Sequence, residues 1–138
     1  ALFRPLDALT VTVDARTCQA SWAVIANACH YGGGFVLAPG TGIRQRGLEA
    51  ILFKARSRAA LFSLLMSLAR GRLADRAAKG DVEILSCTRV VIDTGSPVPV
   101  QIDGDVVGNT PLVIDAGTDH IHLIVPPDSP SGSGTANR

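Results

Sequence analysis

With 138 residues the chain is long enough for one domain that buries roughly two thirds of the surface its unfolded form exposes. Its thirteen lysines and arginines almost balance twelve acids, and 46% of residues are hydrophobic. No basic excess points to nucleic acid, no acidic run points to a solvating tail, and no segment reaches the ~18 apolar residues that would cross a bilayer. Any membrane role is therefore peripheral. Cys18, Cys29 and Cys87 are odd in number and scattered, with no paired CxxC spacing, so reduced thiols in a cytoplasmic setting are expected. Ala1 in place of Met suggests a fragment or a processed piece, and Leu2-Phe3 does not read as a signal peptide.

In chain order, Leu9-Thr10-Val11-Thr12-Val13-Asp14 alternates apolar and polar residues, the period of a half-buried strand. The run from Ala20 to Ala28, with Trp22, Val24 and Ile25, predicts one longer and more buried strand. Gly and Pro then dominate from Cys29 to Gly47, which predicts loop, and Leu48 to Phe53 predicts another strand. From Ser57 to Arg72, Leu61, Leu64, Leu65 and Leu68 recur at helical spacing, so an amphipathic helix is expected, with Ser57 as its N-cap and Gly71 as its stop. Core packing explains that stripe simply. A membrane-touching face flanked by Arg56, Arg58, Arg70 and Arg72 is the alternative, although Ser63 and Ser67 do not resemble lipid-dipping residues.

Beyond Gly80 the chain turns to short strands: Val82–Ser86, Arg89–Ile92, Val98–Ile102, Asp105–Val107, Leu112–Ile114 and His120–Val125. Thr94-Gly95-Ser96-Pro97, Asp103-Gly104 and Gly108-Asn109 are the turn signals between them, and the pattern predicts a sandwich or barrel. After Pro126 the composition of Pro, Ser, Gly and Asp predicts disorder, so the expected division is a domain over 1–126 and a tail over 127–138.

Two groups of residues could carry chemistry. Asp103-Gly104-Asp105 is first of all a two-residue hairpin turn, because Asp and Gly tolerate the positive φ that such turns need. The same turn would mount carboxylates on a rigid tip, where one can accept a hydroxyl proton or orient a metal or phosphate through water. The second group is Asn27 with His30-Tyr31-Gly32-Gly33-Gly34-Phe35. Three glycines allow a tight structural turn or the close approach of a ligand, and both readings stand. Neither GxxxxGK[ST] nor GxGxxG is present, and neither Ser21 nor Ser96 lies in G-x-S-x-G. His120 and His122 would share a strand face and read as exposed polar residues; with His30 they make no convincing metal set.

Asn27, the Tyr31-Gly32-Gly33-Gly34-Phe35 turn, Ala38-Pro39, the Leu-rich helix, Gly71-Arg72, Val98-Pro99-Val100-Gln101-Ile102-Asp103-Gly104-Asp105, Pro111-Leu112 and the closing Val125-Pro126 occur in a telling order. Together they resemble the C-terminal half of the bacterial diacylglycerol kinase catalytic family, which also includes sphingosine-kinase-like enzymes. The resemblance implies a mainly β fold: a two-layer sandwich with one prominent helix, the second domain of a two-domain lipid kinase. It implies that Asp103 is the base that takes the proton from a lipid hydroxyl, with Asp105 in the place of a glutamate. Asn27, Gly32, Gly33 and Gly34 would line the substrate side of the cleft. ATP and Mg²⁺ would be bound mainly by an N-terminal domain whose Gly-Gly-Asp-Gly-Thr loop is nowhere in this chain, so the chain alone is expected to be inactive.

One departure is plain. Where the family has Asp-Gly-x-Leu-Asp for a structural Mg²⁺, this chain reads Gln45-Arg46-Gly47-Leu48-Glu49, and the site is expected to be lost. The expected partners are a lipid substrate, the ATP-binding domain of the same parent and, peripherally, the inner face of a membrane; exposed edge strands also permit a homodimer. A related NAD or sphingoid-base kinase domain is an alternative, as is a non-catalytic lipid- or partner-binding β-domain.

Overall fold

The computed structural model describes residues 8–28, 30–31, 35–36 and 47–118. The strands are β1 (Leu9–Val13), β2 (Arg16–Ala20), β3 (Trp22–Ala26), β4 (His30–Tyr31), β5 (Phe35–Val36), β6 (Leu48–Phe53), β7 (Val82–Cys87), β8 (Arg89–Thr94), β9 (Pro99–Ile102), β10 (Asp105–Asn109) and β11 (Leu112–Asp115). Two helices, α1 (Arg58–Ala69) and α2 (Leu73–Ala78), separate β6 from β7. The fold is mainly β, as the turn-punctuated second half of the sequence requires.

Two antiparallel sheets make the sandwich. One has the order β11-β8-β1-β2 and the other β3-β6-β7. In β1 the alternation works as the pattern predicts: Leu9, Val11 and Val13 are buried, while Thr10 and Thr12 meet Gln19 and Thr17 of β2 on the outer face. The inward residues of β1, β2 and β8 pack against Ala50 and Leu52 of β6 and Cys87 of β7. The opposite face of β6 offers Ile51 and Phe53 to Ala55, Leu64, Leu73 and Val82. Strand β6 is thus covered on both sides, by a sheet and by a helical layer, which is why Leu48–Phe53 reads as a nearly unbroken apolar run.

The run from Ala20 to Ala28 is not one buried strand. Ser21 breaks it, and both its amide and its hydroxyl donate to the Phe53 carbonyl, at 2.8 and 2.9 Å. The break sends β2 into one sheet and β3 into the other. Being an edge strand, β3 is only partly covered, and Trp22 is 38% exposed. The stretch expected to be loop holds a further two-stranded pair, with His30 opposite Val36 and Tyr31 opposite Phe35. Gly32, Gly33 and Gly34 connect these strands and lie outside the described residues, as do Gln45, Arg46 and the segment 120–125 expected to be a strand.

Helix α1 begins where its cap predicts: the Ser57 hydroxyl accepts from the Ala60 amide at 3.2 Å. It ends where the sequence places its stop, with Arg70 as the C-cap and Gly71 at φ +69° just after it, and α2 follows. Ser63 and Ser67 both bind the neighbouring helix. Arg76 of α2 donates to both hydroxyls, at 2.7 and 3.1 Å, and to Asp81 at 3.0 Å, locking the two helices together.

Candidate functional site

Strands β9 and β10 form a sheet of their own, an arm that leaves the sandwich after β8 and returns into β11. Ile102 pairs with Asp105, so the connection is the two residues Asp103 and Gly104. Their φ angles are +51° and +100°, both in the left-handed half of the map, as a type I′ hairpin turn requires. A Cβ at Gly104 would meet nothing within 4 Å; glycine is needed there for its φ, not for space. Further back, the register shifts between Val106 and Gly108, leaving Val107 as a bulge that strengthens the twist.

The arm's root is firmly held. Thr110 is buried, 6% exposed. Its hydroxyl accepts the Val98 amide at 3.0 Å and shares a short hydrogen bond with the Thr94 hydroxyl, while its own amide donates to the Val98 carbonyl at 2.9 Å. Val98 in turn packs against the sandwich core. Beyond this root every residue from Gln101 to Asn109 is exposed, including Ile102 (60%), Val106 (68%) and Val107 (56%). The arm therefore carries two carboxylates and three bare apolar side chains on a scaffold fixed at one end. Cross-strand pairing puts Ile102 and Asp105 on one face.

Neither Asp103 nor Asp105 has a hydrogen-bond or ion-pair partner among the described residues, so their lone pairs are open to a proton or a ligand. Most other carboxylates are committed. Asp14 accepts from both Thr88 donors and from the Arg89 amide, and these bonds hold its carboxyl below the usual range. Glu83 joins Lys54 and Arg16 at 2.7 and 2.5 Å, Asp115 joins Arg89, and Asp81 joins Arg76.

The other expected site residues stand apart. Asn27 is exposed at the end of β3, just past the pair of Ala26 with Glu49, and no described hydrogen bond links it to the arm. Among the described residues no group of three or more His, Cys, Asp or Glu side chains could hold a metal ion. Cys18 and Cys87 are free and buried, and burial pushes the Cys87 thiol up, away from the thiolate form. A cleft of about 280 Å³ bounded by Lys54, Arg56, Ser63, Arg76 and Asp81 lies on the helical layer, away from the arm, with Arg76 already committed to its neighbours. Sequence reasoning missed the Thr94–Thr110 root; the signal available was Thr110 directly before Pro111, at the junction of two strands.

Residues 1–125 match the model of the YegS C-terminal NAD kinase beta sandwich-like domain. The chain belongs to this family. Solved structures agree on the fold. A diacylglycerol kinase from Bacillus anthracis str. Sterne superposes with a TM-score of 0.61 at 17% identity, over 80% of this chain and 38% of that one. Another from the same organism, described as a “putative diacylglycerol kinase”, gives 0.64 at 17% identity over 80% of this chain and 35% of that one. This YegS-type domain thus spans little more than a third of the length of the proteins it resembles. No curated protein sequence matches it.

Proposed function

We propose that this YegS-type domain is the substrate side of an ATP-dependent lipid kinase acting on diacylglycerol or a similar lipid alcohol. The observation that carries the reading is the arm: a carboxylate held at a left-handed tip, without a partner among the described residues, beside uncovered Ile102 and Val106. A lipid alcohol presents a hydroxyl next to hydrocarbon, and the arm offers a proton acceptor next to hydrocarbon. The kinase membership of the family and its diacylglycerol kinase neighbours support the same reading.

In this mechanism Asp103 accepts the proton of the lipid hydroxyl as its oxygen bonds to the γ-phosphorus of ATP. The bond from that phosphorus to the bridging oxygen breaks, and ADP leaves. Asp105, one position past the turn and level with Ile102, orients the hydroxyl. ATP and Mg²⁺ belong to a nucleotide-binding domain of the parent protein. A cytoplasmic setting accords with Cys18 and Cys87, which are free and buried among the described residues.

The test is phosphoryl transfer by the full-length parent, wild type against Asp103→Asn, with diacylglycerol, sphingosine and NAD as separate acceptors. Asn tolerates the same left-handed φ, so the hairpin persists while the base is lost. Activity on one lipid should fall by about 10²–10⁴-fold. NAD as the sole acceptor would favour the NAD kinase reading that the family description also allows. A mutant as active as wild type, or a wild type inactive on every acceptor, removes Asp103 from catalysis and leaves a binding domain.

A further inference from the structure

We infer that the outward face of α1 docks on an anionic lipid surface. Helix α1 carries no charge after Arg58. From Ala59 to Ala69, α1 contains only Ala, Leu, Phe, Met and two serines. Its inward side is accounted for: Leu64 is buried, and Ala60, Leu61 and Leu68 pack on the same cluster. Its flank is accounted for as well, since Ser63 and Ser67 bind Arg76.

At 100° per residue, the side opposite Leu64 and Leu68 carries Phe62, Met66, Ala69 and Arg70, with Arg58 and Leu65 toward one edge. Phe62 is 60% exposed, and Leu65 and Met66 are half-buried. A surface helix normally turns polar residues to water, so an apolar outward face needs a cover.

Charge selects the cover. The segment 54–79 holds seven of the thirteen lysines and arginines and one of the twelve acids, giving it +6 in a chain whose total is +1, while the remainder carries −5. Lys54 and Arg76 are ion-paired. Arg56, Arg58, Arg70, Arg72 and Lys79 are exposed and have no ion-pair partner among the described residues.

Arginines thus bracket the apolar face at both ends of a helix about 18 Å long. In that position they can extend to phosphate groups while Phe62 and its neighbours enter the acyl boundary. A second copy of this chain seated on the same face would set +6 against +6. This surface stands independently of the proposed chemistry, since vesicle binding needs no phosphoryl transfer.

Co-sedimentation with vesicles tests it, using phosphatidylcholine alone and phosphatidylcholine mixed with phosphatidylglycerol, at low and high salt. The chain should bind the mixed vesicles at low salt, release at high salt, and ignore the neutral ones. Phe62→Ser should weaken partitioning about tenfold. Arg58→Gln and Arg70→Gln should each weaken it about fivefold. Val113→Ser, an exposed apolar residue on β11, should change nothing.

All four positions are exposed, and circular dichroism checks that each variant stays folded. Equal binding to neutral vesicles, absence of binding to the mixed ones, or an unaltered Phe62→Ser variant overturns the inference. So does concentration-dependent dimerisation abolished by Phe62→Ser, which would give the face to a second copy.

Discussion

Thr110 anchors the arm, and Thr110→Val removes its hydroxyl while keeping its shape. In the native structure that oxygen accepts the Val98 amide at 3.0 Å and shares a hydrogen bond with Thr94. Valine leaves the part-buried Val98 N–H facing a methyl group. A neutral hydrogen bond contributes about 1 kcal/mol net, and a stranded donor costs about 1–3 kcal/mol. The added apolar burial offsets less than 1 kcal/mol of this. The expected loss is therefore about 2 kcal/mol.

For 138 residues, unfolding entropy of about 0.3 kcal/mol per degree converts that loss into a Tm lower by about 7 °C. Thermal unfolding followed by circular dichroism reads the shift, and amide exchange at Val98 should accelerate. Thr110→Ser keeps the oxygen and should recover most of the loss. A Thr110→Val variant within about 0.5 kcal/mol of wild type would mean that the root is held by the backbone alone, and the argument fails.

Phe53 is fully buried between the helical layer and Trp22, with ring centroids 5.0 Å apart and planes tilted by 39°. Phe53→Ala should cost about 3–5 kcal/mol in urea unfolding, with Trp22 emission moving to the red; a loss below about 1 kcal/mol would show that the core collapses around the gap. Glu83 lies below its ordinary value of 4.5, chiefly through the hydrogen bond from Lys54, with the charges of Lys54 and Arg16 adding to it against desolvation. A lowered carboxylate contributes stability above the ordinary value and loses it as pH falls through the native one. The Tm difference between wild type and Glu83→Gln should therefore be present at neutral pH and close on acidification below 4.5. A difference that does not change with pH would rule out the ion pairs as its source.

Local chemistry settled several features before any tertiary information. Asp103-Gly104 had to be a tight hairpin because only residues that tolerate positive φ fit both positions, and both φ values are positive. Ser57 had to cap α1, and Leu9-Thr10-Val11-Thr12-Val13 had to bury alternate residues. Each of these is decided within a few residues of chain, by sterics or by period.

Other features depend on partners distant in sequence. Nothing local says that Ala20 to Ala28 breaks at Ser21; the Phe53 carbonyl, thirty-two positions away, does so by taking both Ser21 donors. Nothing local gives Ser63 and Ser67 a partner either; Arg76 arrives from α2 to bind both. Thr110 shows as an anchor only when β8 brings Thr94 beside it. Composition and period thus determined β1, β6, α1 and the Asp103-Gly104 turn, but not the β4–β5 pair, the β2–β3 break or α2. Which apolar face is covered and which is left open was decided only by packing, because burial is a property of the neighbours a residue meets and not of the residue itself.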